Sequence, residues 1–246
     1  MPPEVEEVPA PRGALSGRVA VVAGGASGIG RNAARAMAWQ GARVVIADID
    51  ADRMERTVEE ILALGSADAA LALPTDVRSD ASVRSMAADS IKAMGRVDIL
   101  INMAGVLLEG PLDRLKASDW KWMLDTNLVG PVRTTMALLP HMKERGSGHI
   151  VNAISVVGGR MTIAYDAGGA ALSAFTRSLA ADLRGSGVNV TLFTTAARIG
   201  QNTRSRGMDR LLHPREDLEE NSPPSHEAID SLIEALHHPR LEVENR

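Results

Sequence analysis

From residue 18 onward the chain alternates short apolar runs with longer helical stretches, a pattern that few folds accommodate. The apolar runs cover residues 19–23, 43–47, 70–73, 97–101, 149–154 and 188–193, and residues 241–243 are a candidate edge strand. The helical stretches cover residues 29–40, 50–64, 81–94, 118–143, 164–183 and 226–236, with a break or kink expected at Gly130-Pro131. Strands that alternate with helices form βαβ units, and continuously apolar strands are typical of parallel sheets buried on both faces. We therefore predict an α/β protein with a doubly wound parallel sheet between two layers of helices, a three-layer α/β/α arrangement.

The 246 residues contain no internal linker or repeat, which predicts a single domain over residues 17–246. Residues 1–16 are rich in proline and glutamate, and we expect them to form a flexible N-terminal tail. Residues 201–225 are polar and contain Pro223-Pro224. This segment is either a mobile loop over the functional site or a surface excursion.

Composition excludes several classes of function. Lysine and arginine number 27 against 31 acidic residues, a net charge of −4, and no block of five like charges occurs. Such a chain lacks the basic excess of a nucleic-acid binder and the polybasic patch of a membrane-surface protein. Cysteine is absent, which excludes disulfides, thiolate metal sites and cysteine nucleophiles. No apolar run approaches the ~18 residues of a membrane span and the N-terminus is unlike a secretory signal, so we expect a soluble cytoplasmic protein without nucleic-acid or membrane partners.

A glycine-rich loop joins the first predicted strand to the first predicted helix. It reads Gly24-Gly25-Ala26-Ser27-Gly28-Ile29-Gly30. Glycines at such a turn let the chain reverse tightly and let its backbone approach a phosphate, while the helix N-terminus supplies N–H groups and a partial positive charge. A plain strand–helix turn also favours glycine. Because a strand precedes this loop and a helix follows it, we interpret the loop as a pyrophosphate site.

Asp48 ends the second predicted strand, 18 residues after Gly30. A carboxylate about 20 residues after a glycine loop is placed to hold a ribose 2′-hydroxyl. The same carboxylate would repel a 2′-phosphate, so the sequence favours NAD(H) over NADP(H). The alternative interpretation is an ordinary polar residue at the end of a strand.

Further motifs follow the later strands in order. Asp76-Val77 follows the third strand, Asn102-Met103-Ala104-Gly105 follows the fourth, and Asn127 lies within the long helical region. Ser155 ends the fifth strand, and Tyr165, the only tyrosine of the chain, opens the next helix. Together with the glycine loop, these motifs resemble those of the short-chain dehydrogenase/reductase family, which has the Rossmann fold. The resemblance covers most of the chain.

The resemblance implies an active site and a cofactor site. In the family a tyrosine is the general acid/base, a serine holds the substrate oxygen and an asparagine helps a proton relay, and these roles map to Tyr165, Ser155 and Asn127. The implied cofactor-binding residues are Gly24, Ser27, Gly28, Ile29, Gly30, Asp48, Ile49, Asp76, Val77, Asn102, Ala104 and Gly105. The implied cofactor is NAD(H), and the implied substrate is a small molecule. The resemblance also implies a homo-oligomer, a dimer or a tetramer, built on the helical regions at residues 118–143 and 164–183.

No metal site is expected. The six histidines of the chain, His149 among them, show no metal-ligand spacing with carboxylates. We interpret them as surface or helix-end residues.

The departures from the family pattern lie mainly at the reactive end. The family has a lysine four residues after the tyrosine, whereas this chain has Gly169 there and no lysine beyond Lys143. The Pro-Gly that usually follows the sixth strand is Thr195-Ala196. Smaller departures are Ala23 in place of a threonine, Met103 in place of an asparagine, and only ten residues from Ser155 to Tyr165. Because the adenosine and pyrophosphate motifs are intact, the resemblance supports cofactor binding more strongly than hydride transfer.

Loss of the lysine predicts a change in the chemistry of Tyr165. In the family the lysine binds the nicotinamide ribose and lowers the pKa of the tyrosine, and an unassisted tyrosine has a pKa near ~10. At pH 7 such a tyrosine donates a proton well and accepts one poorly, so we expect carbonyl reduction to be favoured over alcohol oxidation. Arg160 and Arg198 are candidates for a substitute cation, with ordinary surface charge as the alternative. Gly168-Gly169 is compatible with a nearer cofactor, an enlarged pocket, a close helix–helix contact or loss of a redox role.

Three functions remain open on the sequence. The leading hypothesis is an NAD(H)-dependent oxidoreductase with Tyr-x-x-x-Gly in place of Tyr-x-x-x-Lys, acting on a carbonyl or secondary alcohol of a small, fairly apolar metabolite. The second is a non-redox dehydratase, isomerase or cyclase that uses Tyr165 and Ser155 for proton transfer. The third is a catalytically silent binding or scaffold protein, which the retained tyrosine, serine and asparagine argue against. Residues 106–115, residues 156–164 and the stretch after Thr195 are expected to shape the substrate pocket.

Overall fold

The computed structural model describes residues 13–64, 69–155, 162–195, 202–205 and 226–245. Within these ranges the strands are β1 (Val19–Ala23), β2 (Arg43–Asp48), β3 (Ala70–Pro74), β4 (Ile99–Asn102), β5 (Val106–Glu109), β6 (Gly148–Ser155), β7 (Val188–Thr195), β8 (Asn202–Ser205) and β9 (Glu242–Asn245). The α-helices are α1 (Gly28–Trp39), α2 (Ala51–Leu62), α3 (Asp80–Met94), α4 (Ala117–Leu124), α5 (Gly130–Glu144), α6 (Ile163–Asp182) and α7 (His226–His237). Seven parallel strands form one sheet in the order β3-β2-β1-β4-β6-β7-β9. The predicted single-domain α/β architecture with a doubly wound sheet is confirmed.

Two hydrophobic cores form because alternate residues of each strand point to opposite faces of the sheet. Ala20 and Val22 of β1 pack with α1, α2 and α7. Val19 and Val21 pack on the other face with α3, α5 and the end of α6. Since helices cover both faces, β1 is buried along its whole length, and its sequence is apolar at every position.

The winding of the sheet reverses between β1 and β4. The chain runs from β1 outward through β2 to β3, then returns to place β4 on the other side of β1. At such a reversal the loops leaving the two central strands diverge, and doubly wound proteins bind ligands in the resulting crevice. The loops that meet there are the glycine loop after β1 and residues 103–105 after β4.

The predicted long helical region is divided by a π turn at Asp125–Val129, between α4 and α5. Pro131 has no N–H with which to continue an α-helical ladder. The N–H of Gly130 donates instead to the carbonyl of Asp125, five residues back. The irregularity expected at Gly130-Pro131 therefore takes the form of a π turn that begins five residues earlier, a feature common at functional sites.

A second, two-stranded parallel sheet pairs β5 with β8, and the sequence analysis did not predict it. Val106 is in register with Asn202, so the partner strand lies far along the chain. Three apolar residues followed by Glu109 have no periodicity that distinguishes them from a loop, and nothing local indicates so remote a partner. The polar segment at residues 201–225, predicted to be either a mobile loop over the site or a surface excursion, contains a strand at residues 202–205. Residues 201 and 206–225 lie outside the described residues, so neither alternative is tested there.

The N-terminal boundary of the domain also differs from the expectation. Gly13–Leu15 forms a 3-10 turn, and Leu15 is buried in the core beside α1. The N–H of Leu15 donates to the carbonyl of Gln40 at 2.9 Å. The prediction of a flexible tail is therefore wrong for residues 13–15, where one leucine supplies enough apolar surface to dock the turn. Residues 1–12 lie outside the described residues.

His149 is buried within β6, so its interpretation as a surface residue is wrong. Its Nε2 lies 2.8 Å from the hydroxyl of Thr191 on β7, and that hydroxyl donates to the carbonyl of Arg240 at 2.6 Å. The single hydroxyl proton of Thr191 is used in this way, so Nε2 of His149 is the donor in the contact between them. Burial lowers the pKa of His149 to about 4. The histidine therefore joins β6 and β7 as a neutral side chain.

The neutral state of His149 predicts a loss of stability in mild acid. The unfolded chain takes up a proton at the ordinary histidine pKa of 6.5, whereas the folded chain takes it up near 4. The contribution of neutral His149 to the free energy of unfolding is therefore fully present above pH 6.5. As the pH falls toward 4, the free energy of unfolding decreases by as much as roughly 3 kcal/mol. Urea unfolding at pH 7 and pH 5 measures this loss, and the His149→Gln variant is expected to lose less between the two pH values. Equal losses in the wild type and the variant would contradict the assignment.

Candidate active site

Backbone contacts require glycine at two positions of the loop after β1. Gly24 has a φ of 85°, and a Cβ built on it would lie 2.4 Å from the backbone nitrogen of Ala104. A Cβ on Gly30 would lie 2.1 Å from the carbonyl oxygen of Gly24. Both distances are far shorter than a van der Waals contact distance. Because the neighbouring atoms belong to the backbone, they cannot move aside as a flexible side chain could. The absence of a side chain at Gly24 thus lets the loop pack directly on the segment after β4. Its absence at Gly30 lets the first turn of α1 pack against the backbone of Gly24.

Gly28 has a different role, because the space in front of it is open. Its φ is 53°, and no described atom lies within 4 Å of a Cβ built there. Gly28 is the first residue of α1, and the N-cap residue Ser27 makes no side-chain cap bond. The N–H groups of a helix N-terminus carry a partial positive charge and bind anions. An unobstructed backbone at this helix end fits a pyrophosphate.

Asp48, at the end of β2, reaches back to the glycine loop. One carboxylate oxygen accepts from the N–H of Ala26 at 3.1 Å, and the other accepts from the N–H groups of Ile49 and Asp50 at 2.7 and 3.2 Å. A carboxylate has about four acceptor positions, so Asp48 can hold the loop and still accept from a ribose hydroxyl. The neighbouring Ile49 side chain is 60% exposed and offers an apolar surface beside it.

Asp76 and Val77 follow β3 and lie against α5. Arg78 donates to both oxygens of Asp76, at 2.9 and 2.8 Å, and these bonds lower the pKa of the Asp76 carboxyl. Val77 is buried, and a Cβ added to Gly130 would lie only 2.9 Å from its Cγ2. In the predicted adenine-contacting pair, Asp76 is therefore an ionised carboxylate bound by Arg78. Val77 is an apolar side chain that packs against the N-terminus of α5.

Asn102 uses its side chain within the protein. Its Nδ2 donates to Oδ1 of Asn152 at 2.8 Å, and its Oδ1 accepts from the hydroxyl of Thr134 at 2.6 Å. Asn152 donates in turn to the hydroxyl of Thr176 on α6 at 3.0 Å. This buried chain ties β4 and β6 to α5 and α6, directly beneath the cleft described next.

A small cleft brings the three predicted catalytic residues together. Tyr165 opens α6, Ser155 ends β6 and Asn127 lies in the π turn, and all three line this cleft. Tyr165 and Ser155 are each only 6% exposed. The other described lining residues are Asn102, Ala104, Gly105, Pro131, Ala153, Ile154, Gly169 and Leu172. Because none of these described residues is charged, the cleft suits an uncharged, fairly apolar group.

The amide of Asn127 clamps the backbone of Val106. Its Oδ1 accepts from the N–H of Val106, and its Nδ2 donates to the carbonyl of the same residue, both at 2.8 Å. An amide that makes both bonds mimics the edge of a neighbouring strand. Asn127 thus holds the first residue of β5 in place, and its part in a proton relay stays a prediction.

The two adjacent glycines of α6 have different surroundings. A Cβ on Gly168 would lie 3.1 Å from Sδ of Met123, so this glycine permits the close approach of α4 and α6. A Cβ on Gly169 would meet no described atom within 4 Å, and Gly169 lines the cleft. Of the explanations open on the sequence, a helix–helix contact applies to Gly168, whereas the open space at Gly169 fits an enlarged pocket, a nearer cofactor or loss of a redox role equally well. Arg160 and Arg198, the candidate substitute cations, lie outside the described residues.

Arg133 of α5 joins three parts of the site, and the sequence analysis did not single it out. Its guanidinium donates to the carboxylates of Asp80 and Asp125 at 2.6 and 2.8 Å and to the carbonyl of Val77 at 3.4 Å. No motif or spacing distinguishes this arginine from the other basic residues of the chain. Only the packing of α5 against the loop after β3 reveals its position.

The described residues contain no group of three histidine or acidic side chains placed to hold a metal ion. They also contain no helix both long and apolar enough to cross a membrane.

Comparison with known sequences identifies related proteins. The profile of the family described as short chain dehydrogenase matches residues 18–206, more than half of the chain. A Thauera aromatica protein, (2S)-[(R)-hydroxy(phenyl)methyl]succinyl-CoA dehydrogenase subunit BbsD, is 39% identical over 178 residues, which cover 72% of this chain and 71% of that protein. An uncharacterized oxidoreductase of Staphylococcus aureus is 33% identical over 180 residues, which cover 72% of this chain and 76% of that protein.

Solved structures match the fold over nearly the whole chain. A short chain dehydrogenase/reductase from Burkholderia phymatum in complex with NAD superposes with a TM-score of 0.81 at 29% identity, covering 94% of this chain and 89% of that one. A short-chain dehydrogenase from Streptomyces avermitilis superposes with a TM-score of 0.79 at 26% identity, covering 92% and 87%.

Proposed function

Because the chain belongs to the short-chain dehydrogenase family, we propose that it is an NAD(H)-dependent oxidoreductase acting on a carbonyl or secondary alcohol of a small, fairly apolar metabolite. The observation that carries this proposal is that the cleft lined by Tyr165 and Ser155 adjoins the glycine loop. Ala104 connects the two, since it lines the cleft and its backbone packs against Gly24 of the loop. A dinucleotide site and a proton-transferring pair are thus contiguous.

The residues present fit a dinucleotide. Gly28 and the N-terminus of α1 would receive the pyrophosphate, because the backbone there is open and its N–H groups attract an anion. Asp48 and Ile49 would hold the adenosine ribose, and Asp76-Val77 would contact the adenine. When bound, NAD(H) supplies or accepts the hydride. Ser27 and Gly105 complete the proposed binding surface, to which Ile29 would contribute only its backbone because its side chain is buried in the core.

Asp48 favours NAD(H) over NADP(H). Three backbone N–H groups hold its carboxylate in place at the end of β2. Because the carboxylate cannot move away, it would repel the negative charge of a 2′-phosphate on the ribose. Arg31, the arginine closest in sequence to the glycine loop, is paired with Glu60 of α2 through its Nε at 3.0 Å. The related Burkholderia phymatum structure holds NAD, which agrees with this preference.

Tyr165 would donate a proton to the substrate oxygen, and Ser155 would hydrogen-bond that oxygen. Gly169 lies one helical turn after Tyr165 and brings no positive charge to the cleft, so position 169 does nothing to stabilise a tyrosinate. Such a site assists protonation of a carbonyl oxygen more than deprotonation of an alcohol. We therefore expect reduction to be faster than oxidation at neutral pH.

A non-redox reaction is the second candidate, and Gly169 is the observation that favours it. Without a lysine at this position, proton transfer by Tyr165 and Ser155 could serve a dehydration, an isomerisation or a cyclisation in the same cleft. A homo-oligomeric assembly and a cytoplasmic location stay predictions of the sequence analysis.

The proposal is tested by titration with NADH, followed by fluorescence, with NADPH as the comparison. We expect saturable NADH binding that is at least about tenfold tighter than NADPH binding. A screen of small apolar ketones and aldehydes with NADH at pH 7 then measures turnover. Binding without turnover would shift the assignment to the non-redox candidate. Absence of binding by either dinucleotide would contradict the proposed cofactor site.

Replacing Asp48 by asparagine is expected to reverse part of the cofactor preference. The change removes the charge and one acceptor from the ribose site, and bonds to a charged group contribute about 1.5–3 kcal/mol. The ratio of the NADPH to the NADH dissociation constant should therefore fall roughly 10- to 100-fold. Asp50→Asn is the matched control, because Asp50 carries the same charge on the same loop but caps α2 by accepting from the N–H of Arg53. An unchanged ratio in the Asp48 variant would contradict the assignment.

A further inference from the structure

One guanidinium connects the two halves of the candidate site. Arg133 projects from α5 toward the loop after β3, where it reaches the carbonyl of Val77, and toward the N-terminus of α3, where it pairs with Asp80. The same side chain bonds the carboxylate and the carbonyl of Asp125, at 2.8 and 3.5 Å. Its Nε–H holds Asp80, and the two N–H groups of Nη1 are shared among the carbonyl of Val77 and the carbonyl and carboxylate of Asp125. Because the guanidinium is planar and rigid, these acceptors are held in fixed relative positions.

The acceptors of Arg133 belong to elements with separate tasks. Val77 belongs to the Asp76-Val77 pair that would contact the adenine, which we call the adenine wall. Its side chain also packs closely against Gly130 at the start of α5. Asp125 begins the π turn, and its carbonyl is the one that accepts the five-residue-back bond from Gly130. Arg133 therefore bonds the carbonyl that defines the π turn and, at the same time, the loop behind the dinucleotide cleft.

The π turn in turn determines where Asn127 lies. Asn127 occupies the middle of that turn, and its amide makes both bonds to Val106 at the start of β5. A shift of the turn by a fraction of an ångström would lengthen both 2.8 Å bonds together. The chain of contacts thus runs from Val77 through Arg133 and Asp125 to Asn127 and Val106.

We propose that Arg133 is a positioning residue that sets the π turn bearing Asn127 and, with the same guanidinium, aligns the adenine wall at Val77. It is not among the described residues that line the cleft. Its role is to hold the loop at Val77 and the π turn that bears Asn127 in fixed positions relative to each other. The part of this inference that concerns the adenine wall rests on the proposed function, whereas the part that concerns Asn127 does not.

The test replaces Arg133 by glutamine and Asp125 by asparagine in the full-length protein. Two quantities are measured: hydrogen exchange at the amide of Val106, and the affinity for AMP. The matched control is Arg177→Gln, which removes an arginine whose Nε donates to Glu242 at 2.6 Å on an exposed surface. Circular dichroism and thermal unfolding confirm that each variant is folded before it is compared.

In the Arg133 variant we expect exchange at Val106 to accelerate at least about tenfold and AMP affinity to fall about tenfold. The Asp125 variant should accelerate exchange at Val106 with a smaller effect on AMP, because the bond from Arg133 to Val77 remains. The control should change neither quantity. Unchanged exchange at Val106 in both site variants would overturn the proposal.

The two proposals fail in distinguishable ways. If the wild type binds neither AMP nor NADH, the proposed cofactor function fails, while exchange at Val106 still decides whether Arg133 positions Asn127. If the wild type binds AMP and the Arg133 variant binds it equally well, the proposed function stands and the link from Arg133 to the adenine wall is wrong.

Discussion

Replacing Tyr165 by phenylalanine is expected to lower kcat by about 10²- to 10⁴-fold, the usual contribution of a positioned general acid. The change removes one hydroxyl from a side chain that is only 6% exposed at the start of α6, and it keeps the ring that fills the cleft wall. Cofactor affinity should stay within about twofold, because only a transition-state interaction is lost. Steady-state kinetics with NADH and the best carbonyl of the screen, together with NADH titration of the variant, separate the two effects.

The control for Tyr165 is a hydroxyl on the same helix that does not line the cleft. Ser173 of α6 is buried but is not among the described lining residues, so Ser173→Ala should change kcat by less than about threefold. Because Tyr165 is the only tyrosine of the chain, no second phenol can substitute for it. Turnover of the phenylalanine variant at more than about a third of the wild-type rate would contradict a role as general acid.

Gly30→Ala and Gly169→Ala are expected to change stability in opposite directions. At Gly30 the new methyl group would lie 2.1 Å from the carbonyl oxygen of Gly24, so the loop must move, and overpacking of this kind costs about 1–3 kcal/mol or more. NADH binding should be lost with the loop geometry. At Gly169 no described atom lies within 4 Å of the methyl group, and alanine in a helix interior is better than glycine by about 0.5–1 kcal/mol.

The two alanine variants are matched, since each adds one methyl group to a helical glycine of the candidate site. Urea unfolding of both variants and the wild type gives the two changes in the free energy of unfolding. A stabilised Gly30 variant would show that the close approach to Gly24 is not required. A strongly destabilised Gly169 variant would show that the cleft wall at that position is packed rather than open.

The sequence was sufficient for the main sheet and for locating the glycine loop and Asp48, whose part in cofactor binding stays a proposal. The strands of the main sheet are continuously apolar because both faces are covered, and this pattern can be read without knowing which strands are neighbours. The glycines and Asp48 stand in short sequence patterns at a recognisable spacing. They can therefore be located in the sequence even though their contacts, from Gly24 to Ala104 and from Asp48 to Ala26, are made only in the folded protein.

The predictions that failed concern residues whose partners are remote in the chain. β5 and β8 pair across nearly a hundred residues, Leu15 docks beside α1, and His149 bonds to Thr191 on the neighbouring strand. None of these residues belongs to a periodic pattern that identifies its partner. A histidine in an apolar run has the same local appearance whether the strand leaves it exposed or buries it.

The amino-acid sequence by itself determined the α/β class, the glycine loop, the carboxylate of Asp48, and the presence of tyrosine with glycine rather than lysine one turn later. The tertiary structure alone decided that Gly168 serves a helix contact while Gly169 opens the cleft, that Asn127 clamps Val106, and that Arg133 joins Val77 to the π turn. The physical reason is the range of the forces involved. Periodicity and chain reversal act between neighbours in sequence, whereas packing and hydrogen bonding act between neighbours in space, whichever segments the fold brings together.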